Sequence, residues 1–378
     1  MESIDDEIVT IARYSNARAL LLQSRLKAEG VDCFLSHENL LQAAVSGGVE
    51  IKVRKSDVER SLNLIEQYIH ESGIEKEKAL KSLKSVRKIL VPVDYSDASM
   101  KASLFAIDLA DRLKADIRLL HVYYNPIIDV VPFDTSHTYQ VNLTNYLHEI
   151  EQNARKQMAT LVRELRKQTE KYKNKIKISW SLENGLAADE IIAQSLKYNP
   201  GLIVMGSRGM GNLSEGLLGS VTYKVIEKSG IPILAIPEKS KITGIDKLKN
   251  VLYATDFDNY DQVALSKLIN LLHPFHVNLF CVHVSVGVKK AWDKIKMDAL
   301  HKFIHDEYSK YPVKCQIIVS DNIINGLESY MRNQSIDVIA LTNHSRGLIT
   351  SLFTPSVTKL IMSRIDRPLF VFKASKEL

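Results

Sequence analysis

The chain has 378 residues, which is too long for one ordinary domain and suits two or three. Hydrophobic residues make up 45% of it and charged residues 25%, a balance typical of soluble globular proteins that bury a core. No apolar run approaches the roughly 20 residues that a membrane helix needs, so no membrane span is expected. The acidic start, Met1-Glu2-Ser3-Ile4-Asp5-Asp6-Glu7, is unlike a secretory signal, and we expect a cytoplasmic protein.

The net charge of +6 is modest for this length. Basic and acidic residues alternate, as in Glu75-Lys76-Glu77-Lys78, which indicates solvated helix faces and disfavours nucleic acid as a partner. The cysteines Cys33, Cys281 and Cys315 lie far apart, without a CxxC pair or clustered metal spacing. We therefore expect no disulfide framework and interpret all three as small core residues.

Residues 1–70 predict a small α+β domain of order βαββα and ferredoxin-like architecture. Its predicted elements are a strand at Ile8–Ala12, a helix from Asn16 to Glu29, strands at Val31–Leu35 and Val49–Val53 after a Gly47-Gly48 turn, and a helix from Ser56 to His70.

The same segment resembles a family of small prokaryotic signal-transducing domains. The elements that carry the resemblance are GVxxFL at Gly30, GGVxIxV at Gly47 and DVERxxxxI at Asp57. The resemblance implies that residues 1–70 contact a protein partner, which the sequence does not identify. Residues 71–85 are predicted to form a charged helical linker.

The rest of the chain contains an internal repeat. Arg87–Ser96 and Lys249–Asp258 each consist of an apolar run that ends in Asp, followed by a polar turn and a helical pattern. Later matching runs are Ile117–Val122 with Leu279–Val284, Gly201–Met205 with Asp337–Leu341, and Ile231–Ile236 with Arg367–Phe372. Short apolar runs that alternate with amphipathic helices are typical of right-handed βαβ units in a covered parallel sheet. We therefore expect two tandem α/β domains, at 86–237 and 248–374, joined by a short polar tether.

The first copy carries an insertion that the second shortens, from about Asn125 to Lys175. It begins with a loop and continues as a long charged helix. A loop beside the carboxyl end of a strand can serve as a lid or as plain surface, and the sequence leaves both open.

A glycine-rich stretch in the first copy has the form G-x-x-G-x9-G-S, with glycines at Gly206, Gly209 and Gly219 and the serine at Ser220. It follows a strand and leads into a helix. Glycines let backbone N–H groups approach phosphate oxygens, and the N-terminus of the next helix adds its amides and positive dipole end. The stretch is neither a P-loop, since no Lys follows a GxxxxG, nor a GxGxxG motif. Ordinary turn chemistry is the alternative to a phosphate site.

With the strand that ends in Asp94, this motif resembles the ATP-binding domain of the universal stress protein family. The resemblance implies a doubly wound, Rossmann-like parallel sheet of five strands in the order 3-2-1-4-5, with ligand at its switch point. It implies an adenine nucleotide, ATP with or without Mg²⁺, in the first domain. The binding residues that it implies are Pro92, Val93 and Asp94 near adenine and ribose, Val122 at the adenine, Met205, Gly206, Arg208 and Gly209 around ribose and phosphates, and Gly219, Ser220, Val221 and Thr222 at the phosphates.

The second copy departs from this pattern. Aligning Ser356 with Ser220 puts Thr342, Ser345 and Pro355 where the first copy has its three glycines. Each replacement adds a side chain, and proline also removes an N–H donor. We therefore expect a degenerate site, one nucleotide per chain, and a pseudo-dimer of the repeats through their closing strands.

Other constellations indicate less. His301 and His305 have a spacing that can bind zinc, but a third ligand is missing and we expect surface histidines. His121 and His283 occupy matching repeat positions, which suggests a shared structural role.

Three functions remain open on the sequence. The first is a nucleotide-responsive regulator in stress or signalling, the second a weak ATPase or autophosphorylating enzyme, and the third a nucleotide-free interaction scaffold. No catalytic or metal-binding residue is predicted, and at most slow ATP hydrolysis is expected.

Overall fold

The computed structural model describes residues 8–14, 16–36, 49–65, 67–68, 86–124, 137–172, 174–209, 219–242, 244–257, 260–287, 291–308, 311–344 and 358–374, the last without 359, 362 and 363. These residues contain one sheet of three strands and one of ten. Within these ranges, every helix is too short or too polar to span a lipid bilayer.

The small sheet belongs to the N-terminal unit. Its elements are β1 (Ile8–Tyr14), α1 (Asn16–Ala28), β2 (Cys33–Ser36), β3 (Val49–Arg54), a 3₁₀ turn (Lys55–Asp57) and α2 (58–65). Strand β3 lies between β1 and β2 and is antiparallel to both. Because side chains alternate along a strand, Val49, Ile51 and Val53 are buried in one core with Leu22 of α1 and Ile65 of α2. The predicted βαββα order is confirmed, whereas the predicted turn at 47–48 and linker at 71–85 lie outside the described residues.

The ten-stranded sheet has two halves. The first consists of β4 (Lys88–Pro92), α3 (Asp97–Leu113), β5 (Asp116–Tyr123), α4 (His137–Thr169), β6 (Ile178–Asn184), α5 (Ala187–Tyr198), β7 (Leu202–Gly206), α6 (Ser220–Lys228) and β8 (Ile233–Ile236). The second consists of β9 (Asn250–Ala254), α7 (Asp261–Leu272), β10 (Asn278–Val286), α8 (Ala291–Glu307), β11 (Val313–Ser320), α9 (Ile323–Asn333), β12 (Val338–His344) and β13 (Leu369–Ala374). Short 3₁₀ turns at Ile245–Lys247 and His273–Phe275 complete the connections.

The two halves have the same strand order. In the first it is β6-β5-β4-β7-β8 and in the second β11-β10-β9-β12-β13, which is 3-2-1-4-5 in both when each half is numbered from its own first strand. Neighbouring strands within each half are parallel. The α/β class and the parallel strand order are therefore confirmed for both halves.

Strands β8 and β13 join the halves in the middle of the sheet. They pair antiparallel, with Leu369 opposite Ala235, Phe370 opposite Leu234 and Val371 opposite Ile233. The prediction that the two closing strands pair is confirmed. An apolar edge that would attract other chains is thereby buried in each half.

Helices cover both faces of the large sheet. One continuous core under α3, α4, α7 and α8 includes side chains of both halves, such as Leu234 and Phe370. The opposite core lies under α5, α6 and α9. The strands contribute alternate residues to the two faces, so that Ile89 and Val91 enter the first core and Leu90 the second.

The helix after the second strand differs between the halves. Helix α4 has 33 residues, whereas its counterpart α8 has 17. The predicted long helix of the insertion is confirmed, and the loop that precedes it, at 125–136, lies outside the described residues. Helix α8 also contacts α1 of the N-terminal unit.

The shared core makes a prediction about stability. Changing Phe370, which is fully buried at the join, to alanine should lower the free energy of unfolding by about 3–5 kcal/mol, because it removes core contacts and leaves a cavity. The control is Leu196→Ala on α5, where the side chain is 76% exposed and the loss should stay within about 0.5 kcal/mol. Urea unfolding of both variants measures the difference, and equal losses would contradict a core that continues through the join.

Candidate functional site

Asp94 follows β4 at the carboxyl edge of the first half. Its Oδ1 accepts hydrogen bonds from the Ser96 backbone N–H at 3.1 Å and from the Ser96 hydroxyl at 2.6 Å. The Ser96 hydroxyl oxygen in turn accepts from the Ser99 N–H at 3.2 Å and caps helix α3. The Asp94 carboxylate is thus oriented by the start of the helix that follows it.

An aromatic pair supports this strand end from the side. His121 Nδ1, near the end of β5, lies 2.8 Å from the carbonyl oxygen of Val93. A carbonyl can only accept, so this nitrogen carries the proton. The His121 ring packs on Tyr95 with centroids 4.5 Å apart, and Tyr95 has a φ of 65°, the left-handed region that a bulky residue seldom adopts. These contacts fix the backbone on both sides of Asp94.

The predicted glycines lie at the end of the adjacent strand β7 and after it, and Gly209 lies next to Asp94. A Cβ on Gly206 would come within 3.0 Å of the Ala98 backbone, and one on Gly209 within 2.4 Å of Asp94 Oδ2. A Cβ on Gly219 would lie 3.3 Å from Arg208 Cα. The three glycines are therefore positions of close approach, as expected for a loop that presents backbone groups.

Two of the residues expected at the phosphates form hydrogen bonds inside the protein. The Gly219 N–H donates to the Ser207 carbonyl at 2.9 Å, and the buried Thr222 hydroxyl donates to the Gly206 carbonyl at 2.8 Å. Both bonds fasten the start of α6 to the end of β7. As long as these hydrogen bonds are formed, the two donors stabilise the conformation of the loop and do not donate to a ligand.

The start of α6 leaves other groups available. Ser220 is exposed and Val221 half-buried in the first turn of this nine-residue helix. The first N–H groups of a helix have no acceptor within it, and the dipole makes this end positive. Arg208 lies half-buried beside the same turn. An anion could be bound here by backbone amides, one hydroxyl and one cation.

The apolar residues of the predicted site lie at the same edge of the sheet. Pro92, Val93 and Met205 are buried, whereas Val122 is half-buried. Together with Asp94 and the glycines, they surround the point between β4 and β7 where the strand order reverses. The structure thus brings all twelve predicted residues to one edge.

The second half repeats the pair of a histidine and an aromatic residue that supports the strand end in the first half. His283 Nδ1 lies 2.9 Å from the Thr255 carbonyl, and its ring packs on Phe257 at 4.2 Å, with a φ of 64° at Phe257. The predicted shared structural role of His121 and His283 is therefore confirmed. His283 is more deeply buried than His121, and burial lowers its pKa because the charged form loses hydration.

A buried polar network occupies the strand ends of the second half. Thr342 occupies the position on β12 that Gly206 occupies on β7. Its hydroxyl lies 2.8 Å from the Tyr253 hydroxyl, which donates to Asp261 Oδ1 at 2.6 Å. Asp261 Oδ2 also accepts from the Thr255 hydroxyl and from the Phe257 N–H. These side chains satisfy one another's hydrogen bonds. The expected replacements Ser345 and Pro355 lie outside the described residues.

Several residues of the site were not identified from the sequence. Ser96 donates a hydrogen bond to Asp94, and Tyr95 packs on His121 beside it. The backbone of Ala98 lies close to Gly206. An aromatic residue follows the Asp in both copies, and this repetition was a signal for Tyr95 and Phe257. His301 and His305 are exposed on α8, and no group of three or more metal-binding side chains occurs in the described ranges.

The Thr222 hydrogen bond makes a prediction. Thr222→Val should lower the free energy of unfolding by about 1–3 kcal/mol, because it leaves the buried Gly206 carbonyl without its donor. The matched control is Thr160→Val on α4, where an exposed hydroxyl donates at 3.0 Å to a carbonyl of its own helix. Thermal unfolding of both variants checks this, and an equal effect would mean that the Thr222 bond does not hold the loop.

Comparison with known proteins gives one family. The profile of the universal stress protein family matches residues 85–237. Universal stress protein MJ0531 of Methanocaldococcus jannaschii is 30% identical over 158 residues, which are 41% of this chain and 84% of that protein. Universal stress protein YxiE of Bacillus subtilis is 31% identical over 150 residues, 39% of this chain and 97% of that protein.

A solved structure supports the fold over a longer stretch. The universal stress protein from Archaeoglobus fulgidus superposes with a TM-score of 0.59 at 20% identity, over 78% of this chain and 99% of that one. Because the identity is low, this likeness concerns the fold. The profile match and the two relatives show that the chain belongs to the universal stress protein family.

Proposed function

We propose that residues 86–237 bind an adenine nucleotide, ATP with or without Mg²⁺, and that the protein acts as a nucleotide-responsive regulator. The observation that carries the proposal is the close approach of Gly209 to Asp94 and of Gly206 to Ala98 beside the exposed start of α6. This cradle lies between β4 and β7, where the connections leave the sheet in opposite directions. Ligands of open α/β sheets bind outside such switch points.

The chemistry of the cradle fits the parts of a nucleotide. Ser220 and the amides of the first turn of α6 would hold phosphate, with Arg208 as the nearby cation. The Asp94 carboxylate is an acceptor for ribose hydroxyls. Val122 and the backbone at Val93 would contact adenine. Thr222 and Gly219 would act indirectly, because their hydrogen bonds to Gly206 and Ser207 shape the loop.

A physical connection leads from this cradle to the second half. Helix α3 is capped by Ser96 next to Asp94, and its other end contacts the segment between the halves through an Arg112–Asp246 ion pair at 2.6 Å. The Lys101 ammonium donates to the Glu238 carbonyl of the same segment. Suppose that the nucleotide binds more tightly when α3 has one position than when it has another. Binding would then favour that position and shift the contact between the halves, which is the condition for regulation by binding.

We further propose that the second half is a second universal stress protein domain that does not bind nucleotide. The equal strand order and the superposition over 78% of the chain support the tandem arrangement. The network around Asp261 supports the degenerate site, because Thr342 places a side chain at the position that corresponds to Gly206, and its hydroxyl is hydrogen-bonded to Tyr253. Residues 1–70 would be a ferredoxin-like signalling domain that receives a protein partner.

The first functional prediction concerns the cradle. Gly209→Val should weaken ATP binding at least about tenfold, because its Cβ would displace the Asp94 carboxylate. The matched control is Gly230→Val, at an exposed position where a Cβ meets nothing within 4 Å. Calorimetric titration of the full chain measures both affinities. ATP binding that is equally tight in the two variants would rule out this loop as the site.

The second functional prediction concerns stoichiometry. Ligand-free protein titrated with ATP should saturate near one equivalent per chain. Asp94→Ala should lower the affinity, whereas Asp256→Ala, at the matching position after β9, should leave it unchanged. Saturation at two equivalents, or a loss of affinity in Asp256→Ala, would show that the second half binds nucleotide as well.

A further inference from the structure

Two cysteines that the sequence separates are neighbours in the large sheet. Cys281 on β10 is the direct register partner of Cys315 on β11. Residues opposite each other in a sheet point to the same face, and neighbouring strands lie about 4.8 Å apart. Disulfides join Cα atoms about 4.4–6.8 Å apart, so the register brings these two residues within bonding range. Their separation in the sequence, 34 residues, thus gave no sign that they are neighbours in the fold.

The environments of the two thiols differ. Cys281 is fully buried in the core that Leu300 and Ile304 of α8 cover, whereas Cys315 is only partly buried at the margin of that core. Strand β11 is the last strand of the ten-stranded sheet, and within the described part of the chain it pairs with β10 alone. Edge strands open locally more readily than central ones, so a small solute reaches Cys315 first.

The different burial of the two thiols assigns their roles, and the directions of their pKa shifts agree with it. Hydrogen bonding with Cys281 lowers the pKa of Cys315. The same hydrogen bond, with burial second, raises the pKa of Cys281 well above its usual range. Cys315 is therefore the thiol that attacks, because it is the more accessible of the two and the direction of its pKa favours the thiolate, which is the nucleophile.

We propose that Cys281 and Cys315 form a peroxide-sensitive pair that closes a reversible disulfide within the chain. The Cys315 thiolate attacks a hydroperoxide, breaks its O–O bond and becomes a sulfenic acid, with the alkoxide or hydroxide leaving. The Cys281 sulfur then attacks the Cys315 sulfur, and its proton leaves with the hydroxyl group as water. The peroxide is reduced by two electrons and the two thiols are oxidised to one disulfide.

Cys33 provides an internal comparison. It is buried in the core of the N-terminal unit, and burial raises its pKa to about 11. Its register partner on β3 is Val53, not a second cysteine. It should resist oxidation under conditions that oxidise the pair. The inference does not depend on nucleotide binding, since the pair lies in the second half.

The test uses the full chain treated with hydrogen peroxide and then unfolded to count thiols. The chain has three cysteines, and the loss of two should leave one titratable thiol. Peptide mapping should find the cross-link between the peptides that contain Cys281 and Cys315. Non-reducing electrophoresis should show a single chain, and dithiothreitol should restore all thiols. Three thiols remaining, or a disulfide between two chains, would overturn the proposal.

Variants separate the two steps. Cys33→Ser should still lose two thiols and form the same cross-link. Cys281→Ser should stop at the sulfenic acid, so that dimedone labels Cys315, whereas Cys315→Ser should neither cross-link nor bind dimedone at Cys281. Loss of the cross-link in Cys33→Ser, or dimedone labelling of Cys281 in Cys315→Ser, would contradict the assigned roles. Circular dichroism of each variant before treatment verifies that it is folded.

Discussion

The antiparallel pairing of β8 with β13 is the constraint on which the arrangement of residues 86–374 depends. Each strand would otherwise end its half as an apolar edge, and such edges pair with other chains. Pairing Phe370 with Leu234 turns two edges into the centre of one sheet and lets a single core run beneath both halves. Helix α3 contacts the segment that follows β8, so the candidate site is attached to this joined body.

Much of the fold was predictable because it depends on local pattern. The apolar runs before Asp94 and Asp256 had the length and β-branched content of buried strands, and both are strands. The element order of the N-terminal unit followed from alternation in Val49–Arg54 and from helical spacing on either side. The pairing of the closing strands was also predictable, because exposed apolar edges need a partner.

The sequence predicted which residues form the candidate site, but it did not predict the hydrogen bonds that they make. The glycine motif predicted a loop at the end of β7, and Gly209 of that loop lies against Asp94. The sequence did not indicate that the Thr222 hydroxyl and the Gly219 N–H would form hydrogen bonds within the loop. Such hydrogen bonds depend on the exact path of the chain between distant residues. The same holds for the second half, where Tyr253, Asp261 and Thr342 meet only after folding, and for Cys281 and Cys315, whose contact depends on strand register.

The antiparallel join has a geometric consequence. The parallel strands of each half all end at the same edge of the sheet, and the strands of the two halves run in opposite directions. The carboxyl ends of the first half's strands therefore lie at one end of the sheet, and those of the second half lie at the other end, measured along the strand direction. Five strand steps, about 24 Å, also separate β4 from β9. One small ligand therefore cannot touch both strand-end regions. The state of the first half reaches the second across the width of the sheet, along its covering helices or through the segment between the halves.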